Sequence, residues 1–101
     1  MSSFTELELK VLRWAEARGI IPNSNPMTQA IKTLEEVQEL LSALNRKNND
    51  EIVDAYADIL ITLIVGADLH GTNLIACLEK GYDVIKDRTG YLRKDGIFIK
   101  D

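Results

Sequence analysis

Two neighbouring stretches constrain what this chain can become: Leu34-Glu35-Glu36-Val37-Gln38-Glu39-Leu40-Leu41 and Glu51-Ile52-Val53-Asp54-Ala55-Tyr56-Ala57-Asp58. In each, acidic residues recur three or four positions apart, the helical interval that puts side chains on one face. Glu36 and Glu39 then stand about 60° apart, and Asp54 and Asp58 about 40° apart. Leu34, Val37, Leu41 and Leu44 predict the apolar stripe of the first of these helices. Ile52, Ile59, Leu60, Leu63 and Ile64 make the second apolar around most of its circumference. The Asn-rich break at 45–50 lets the two pack antiparallel. Two carboxylate pairs can then face each other across a helix–helix groove. Grouped carboxylates repel, so they keep their charges only around cations. Oxygen-only ligands suit magnesium or manganese rather than zinc.

The remaining chain reads as support for that pair. With 101 residues there is room for one small domain spanning 1–101, whose own core is modest. A first helix is expected over 5–18, capped by Ser3 or Ser2, with Glu6 and Glu8 near its positive end. Its stripe is Leu7, Val11, Trp14 and Ala15, and Gly19 is the expected stop. Residues 19–26 read as a loop. Asn25 is the cap and Pro26 the first residue of the helix that runs to Arg46. Asp50 is the expected cap of the next, which ends near His70-Gly71. A fourth helix over 72–88 turns Leu74, Ile75, Leu78, Tyr82 and Ile85 inward. Lys94-Asp95-Gly96 predicts a hairpin within 91–101. The fold class is therefore all-α, four helices with a short C-terminal β-hairpin. Apolar residues all around the third helix call for a core completed by a homodimer or homotetramer.

Charge and composition exclude several functions. A net charge of -4 speaks against a surface for nucleic-acid polymers, though a metal can invert the sign inside a site. The apolar run 59–67 is too short to span a bilayer and is better read as a buried helix. One cysteine, Cys77, excludes an internal disulfide, and no basic, apolar leader opens the chain; a cytoplasmic location is expected. Trp14, the single tryptophan, is either a core or interface anchor or a flat surface for stacking a nucleobase.

The order Trp14…Gln29-x-x-Lys32-x-x-Glu35-Glu36-x-x-Glu39-Leu40…Glu51-x-x-Asp54-x-x-x-Asp58 resembles the all-α nucleotide pyrophosphohydrolases of the MazG type. Those are relatives of dimeric dUTPases, dCTP pyrophosphatases and phosphoribosyl-ATP pyrophosphohydrolases. The segment 82–100 also resembles the tails of short, phage-like members. The chain departs from the family at its second element, usually Glu-x-x-Asp. Here Asp58 supplies the aspartate, but Ala55 stands three before it. Asp54, a turn from Asp58, can replace the glutamate, whereas Glu51-x-x-Asp54 sits one turn early.

The resemblance implies Mg2+-dependent hydrolysis (with Mn2+ as the alternative metal) of a (deoxy)nucleoside triphosphate to nucleoside monophosphate and pyrophosphate, for nucleotide-pool control or house-cleaning. Glu36, Glu39 and Asp58 would be metal ligands, with Asp54 the fourth, and Glu35 the general base that orients water. Trp14, Gln29, Lys32, Lys86 and Arg88 are the candidate substrate contacts. For Lys32 the plain alternative is a surface ion pair with Glu36, and for Lys86 and Arg88 solvated charges at a helix end. The competing reading of the whole chain is a non-catalytic helical module with a solvated acidic face. Against it stand Asp54 and Asp58, set in an otherwise very apolar helix where an idle carboxylate is costly. A di-iron carboxylate bundle lacks its Glu-x-x-His pairs.

Overall fold

The computed structural model describes residues 3–101. Five helices and a hairpin follow in order: α1 (Phe4–Ala17), α2 (Ile20–Asn23), α3 (Pro26–Arg46), α4 (Asn49–Leu69), α5 (Leu74–Ile85), β1 (Gly90–Leu92) and β2 (Phe98–Lys100). This is the mostly helical architecture with a two-stranded antiparallel tail that the sequence leads one to expect. None of the helices is long and apolar enough to cross a membrane, among the described residues.

The helix ends follow local chemistry. Ser3 caps α1 by accepting from the Glu6 amide; Ser2, the alternative cap, lies outside the described residues. Asn25 accepts from the Thr28 amide at 2.8 Å and Pro26 opens α3. Asn73 caps α5, which ends at Ile85, short of Arg88. Two expectations are corrected. Asn48, not Asp50, caps α4, its side chain accepting from the Glu51 amide. Asp50 falls in the first turn instead, so the break between α3 and α4 shrinks to Lys47 and Asn48, with Lys47 left-handed at φ 57°. The segment 19–26 is not all loop. Gly19, at φ 76°, starts the one-turn helix α2, which Asn23 closes by donating to the Gly19 carbonyl at 2.7 Å.

The principal contact is α3 on α4, with α1 laid against α4, α2 against α1, and α5 touching α4. Small residues make the α3–α4 seam. Ala43, Ala55 and Thr62 are buried, and a side chain on Gly66 would press on the Gln29 Cβ at 3.3 Å. The inward face of α3 is therefore Thr33, Glu36, Val37, Leu40 and Ala43. The predicted stripe is rotated from this. Leu34 and Leu41 are 61% and 63% exposed, whereas Val37 of that stripe and Leu40 beside it turn inward. The predicted inward face of α5 is uncovered too: it has no buried residue, and Leu78, Tyr82 and Ile85 are exposed.

Glu8 is also corrected. It is 6% exposed, and its carboxylate accepts from the Leu74 amide at 3.0 Å. It serves the positive end of α5 across the bundle, not that of its own helix.

The chain exposes 7757 Å², against about 5,700 Å² for a compact monomer of its mass. Its radius of gyration of 15.8 Å exceeds the roughly 13 Å of a compact chain of this length. That excess of about 2,000 Å² goes with large apolar side chains left exposed on α3, α4 and α5, on α1 and on the hairpin.

Candidate functional site

The seam fixes which carboxylates meet. Thr33 Oγ1 and Thr62 Oγ1 lie 2.7 Å apart, setting one level between the two antiparallel helices. Three residues on from Thr33 is Glu36, and four back from Thr62 is Asp58, each about 5 Å along its helix. One further turn brings Glu39 level with Asp54. Glu36, Glu39, Asp54 and Asp58 accordingly line one cavity of about 220 Å³, with Glu51, Arg46 and the small residues Ala43 and Ala55.

The members of this cavity are not equivalent. Arg46 forms an ion pair with Glu51 and a hydrogen bond with Ser42, closing the end next to the α3–α4 turn. Glu51 is thus turned toward a cation of its own chain. As the side chains stand, no three carboxylates among the described residues converge tightly enough to wrap one ion. The donor set is oxygen throughout, which matches magnesium or manganese.

A second cavity, about 430 Å³, adjoins the first and shares Glu36 and Asp58 with it. Trp14, Ile20, Ile61 and Val65 give it apolar walls, and Thr28, Gln29, Lys32 and Thr62 add polar groups. Trp14 is 45% exposed with its ring on this cavity, so it is not a core anchor within its own chain. Lys32 Nζ lies 3.0 Å from Glu35 and 3.5 Å from Glu36. The hydrogen bond to Glu35, and the charge of both carboxylates, hold its ammonium above the usual lysine value. In the segment leading to α3, Asn23 is used in closing α2 and Asn25 in capping α3. Gln29 Nε2 donates to Ser24 Oγ at 3.0 Å, and the side chain lines the cavity.

Three candidates fall outside. Glu35 lines neither cavity and is an exposed partner of Lys32 at the rim. Lys86 and Arg88 line neither as well, and Lys86 Nζ sits 3.4 Å from Asp83. The reason lies in helix phase: α5 packs on the Leu60 side of α4, about 200° around from Asp58 and Thr62. Conversely, the sequence pattern did not single out Arg46, Ser24 or Thr62. For Thr62 a signal existed, since it interrupts the apolar run 59–67.

Residues 22–81 match the phosphoribosyl-ATP pyrophosphohydrolase family. An uncharacterized 18.2 kDa protein from the rep-hol intergenic region of Haemophilus phage HP1 (strain HP1c1) is 30% identical over 80 residues, 79% of this chain and 48% of that protein. The chain thus spans about half the length of that phage relative. Among solved structures, the cyanophage S-2L MazG-like pyrophosphohydrolase, bound to dGDP and three catalytic Mn2+ ions per active site, superposes with a TM-score of 0.76 at 21% identity. That match covers 100% of this chain and 99% of the cyanophage one, and it establishes a shared fold. Matched over more than half its length, the chain belongs to the phosphoribosyl-ATP pyrophosphohydrolase family, and it shares the all-α fold of the cyanophage MazG-like protein.

Proposed function

We propose that this chain is a single-domain enzyme that hydrolyses (deoxy)nucleoside triphosphates to nucleoside monophosphate and pyrophosphate, in nucleotide-pool control or house-cleaning. One observation carries the reading. An all-oxygen acidic cavity and an aromatic-walled cavity adjoin along one seam and share Glu36 and Asp58. A nucleotide has the same two halves, a polyanion that needs cations and a flat base that needs a stacking face.

Glu36, Glu39 and Asp58 would hold Mg2+ or Mn2+, with Asp54 rather than Glu51 as the fourth ligand. The ion pair of Glu51 with Arg46 supports that order. A divalent ion held there supplies positive charge to the phosphate oxygens and makes water easier to deprotonate. Glu35 stands at the rim outside both cavities, one residue from Glu36, so it accepts the proton of the attacking water only by turning inward from Lys32. Lys32 lines the second cavity beside Glu36, and its ammonium can turn to a phosphate oxygen. Trp14 stacks on the base, and Gln29 meets its polar edge.

The surface excess supports assembly as a homodimer or homotetramer. About 2,000 Å² per chain is an area of obligate-interface size. Lys86 and Arg88 line neither cavity of their own chain, so they would reach the outer phosphates only from a neighbouring copy.

A hydrolysis screen over the common nucleoside triphosphates, with Mg2+ or Mn2+ and scored by pyrophosphate release, tests this reading. Release from at least one triphosphate, lost on chelation, is expected. Silence across the panel, or release of orthophosphate alone, would refute it.

A further inference from the structure

The short helix α2 has a use that the carboxylate chemistry does not require. Gly19 turns the chain left-handed, and Asn23 ties the resulting single turn back to the Gly19 carbonyl. That turn delivers the Ser24 hydroxyl to the side-chain amide of Gln29, 3.0 Å away and part-buried. On its other side Gln29 lies against Gly66 of α4, where the bare glycine leaves room for its Cβ. Gln29 is thereby held at two points. Its neighbours on the cavity wall differ from it: Thr62 shares its hydroxyl with Thr33 and the Ile59 carbonyl, and Lys32 is engaged by Glu35 and Glu36.

A side chain free to change rotamer presents its carboxamide in many directions, and the contact with Ser24 holds Gln29 in one place. Once Ser24 takes one amide hydrogen, Gln29 keeps one N–H and its Oε1, a donor beside an acceptor. A nucleobase edge with the opposite donor–acceptor pair accepts that arrangement in both hydrogen bonds, the way glutamine recognises adenine. We infer that Ser24 is a positioning residue for base selection: it fixes the carboxamide of Gln29, which then reads the edge of the base stacked on Trp14. This rests on the nucleotide reading above and names which residues would set its specificity. Stacking alone tolerates any base, so discrimination must come from a fixed polar group of this kind.

The test compares wild type with Ser24→Ala, Ser24→Thr and Gln29→Glu. Steady-state hydrolysis is measured over triphosphates that differ only in the base. They include purine riboside triphosphate, which lacks an exocyclic amino donor. Tryptophan fluorescence is titrated in parallel with the matching monophosphates, so binding is read without catalysis. For Ser24→Ala we expect KM for the preferred nucleotide to rise about ten-fold with kcat little changed. The preference between bases should narrow by a similar factor. Ser24→Thr, which keeps the hydroxyl, should restore both. Gln29→Glu should change the order of preference. Unchanged base preference in Ser24→Ala, or a loss equal for every base, would overturn the inference while leaving the hydrolytic reading intact. If no triphosphate is hydrolysed, the titrations decide alone. Base-selective binding flattened by Ser24→Ala supports the inference, and binding indifferent to base, or absent, overturns it.

Discussion

Removing the Glu8 carboxylate should loosen α5 more than any other single change away from the seam. Glu8 is almost wholly buried and accepts from Leu74, the first residue of α5, at 3.0 Å. Two terms favour the contact. A hydrogen bond to a charged group contributes about 1.5–3 kcal/mol, and an anion at a partly buried helix N-terminus adds up to about 2 kcal/mol. Desolvation of the carboxylate works against both. Glu8→Ala removes all three and leaves the Leu74 amide without its acceptor, so a net loss of about 2 kcal/mol is expected. At about 4–8 °C per kcal/mol for a domain of this size, Tm should fall by roughly 8–16 °C. Glu8→Gln keeps an acceptor oxygen but loses the charge, and about half that fall is expected. Thermal unfolding at one fixed protein concentration gives the two shifts. Hydrogen exchange at the Leu74 amide localises them, and should accelerate in Glu8→Ala ahead of the amides of α3. Variants that melt within a degree of wild type, with Leu74 exchange unchanged, would show that α5 is held by something other than this contact.

Glu36→Gln, Glu39→Gln or Asp58→Asn should each cut pyrophosphate release by a factor of about 100 or more while Tm holds or rises, because one of several repelling charges is gone. Glu51→Gln should be much milder than Asp54→Asn; the reverse order would overturn the assignment of the fourth ligand. Trp14→Ala should raise KM about ten-fold with a smaller effect on kcat, and a fall in Tm with KM unchanged would instead make Trp14 an interface residue. In the hairpin, hydrogen bonds from Arg93 at 2.7 and 2.6 Å hold the Asp95 carboxyl below its usual value. A depressed carboxyl stabilises fully above the ordinary aspartate value of about 4 and loses that contribution as pH falls through the folded value. Cross-strand NMR contacts between Tyr91 and Ile99 should therefore weaken only in acid, and Asp95→Asn should abolish that pH dependence.

Much of this was legible in the sequence, for identifiable reasons. Asn25-Pro26 is a strong start signal because the proline marks the first helical position behind its cap, and of the two caps at Thr72-Asn73 the structure uses Asn73. At Asn48-Asn49-Asp50 three cap formers stand in a row, and periodicity cannot choose among them. The grouping of Glu36, Glu39, Asp54 and Asp58 follows from helical spacing once α3 and α4 are antiparallel. The inward face of α3 did not follow. Hydrophobic pattern favours Leu34 and Leu41, whereas the seam is built from Thr33, Ala43, Ala55, Thr62 and Gly66, whose value is small size. Glu8 looked like a charge suited to the dipole of its own helix because its partner, Leu74, is 66 residues away. The positions of Lys86 and Arg88 depend on where α5 turns, which no local motif states.

The threonine pair of the seam has a consequence for how the two long helices can slide. Alanine and glycine present almost no knobs, so along much of the seam few interlocking side chains oppose a slip of α3 along α4 by one turn, about 5.4 Å. Such a slip would carry Glu36 past Asp58 and break up the acidic cavity while keeping nearly all the helix intact. The Thr33–Thr62 contact sits one turn from those carboxylates and is satisfied at only one setting of the helices. It acts as a detent, in the way a single buried polar residue fixes the alignment of a coiled coil. A double Thr33→Val, Thr62→Val chain would keep the shape and helicity of the original and lose its alignment. Its melting temperature could stand unchanged while the four carboxylates no longer share a cavity.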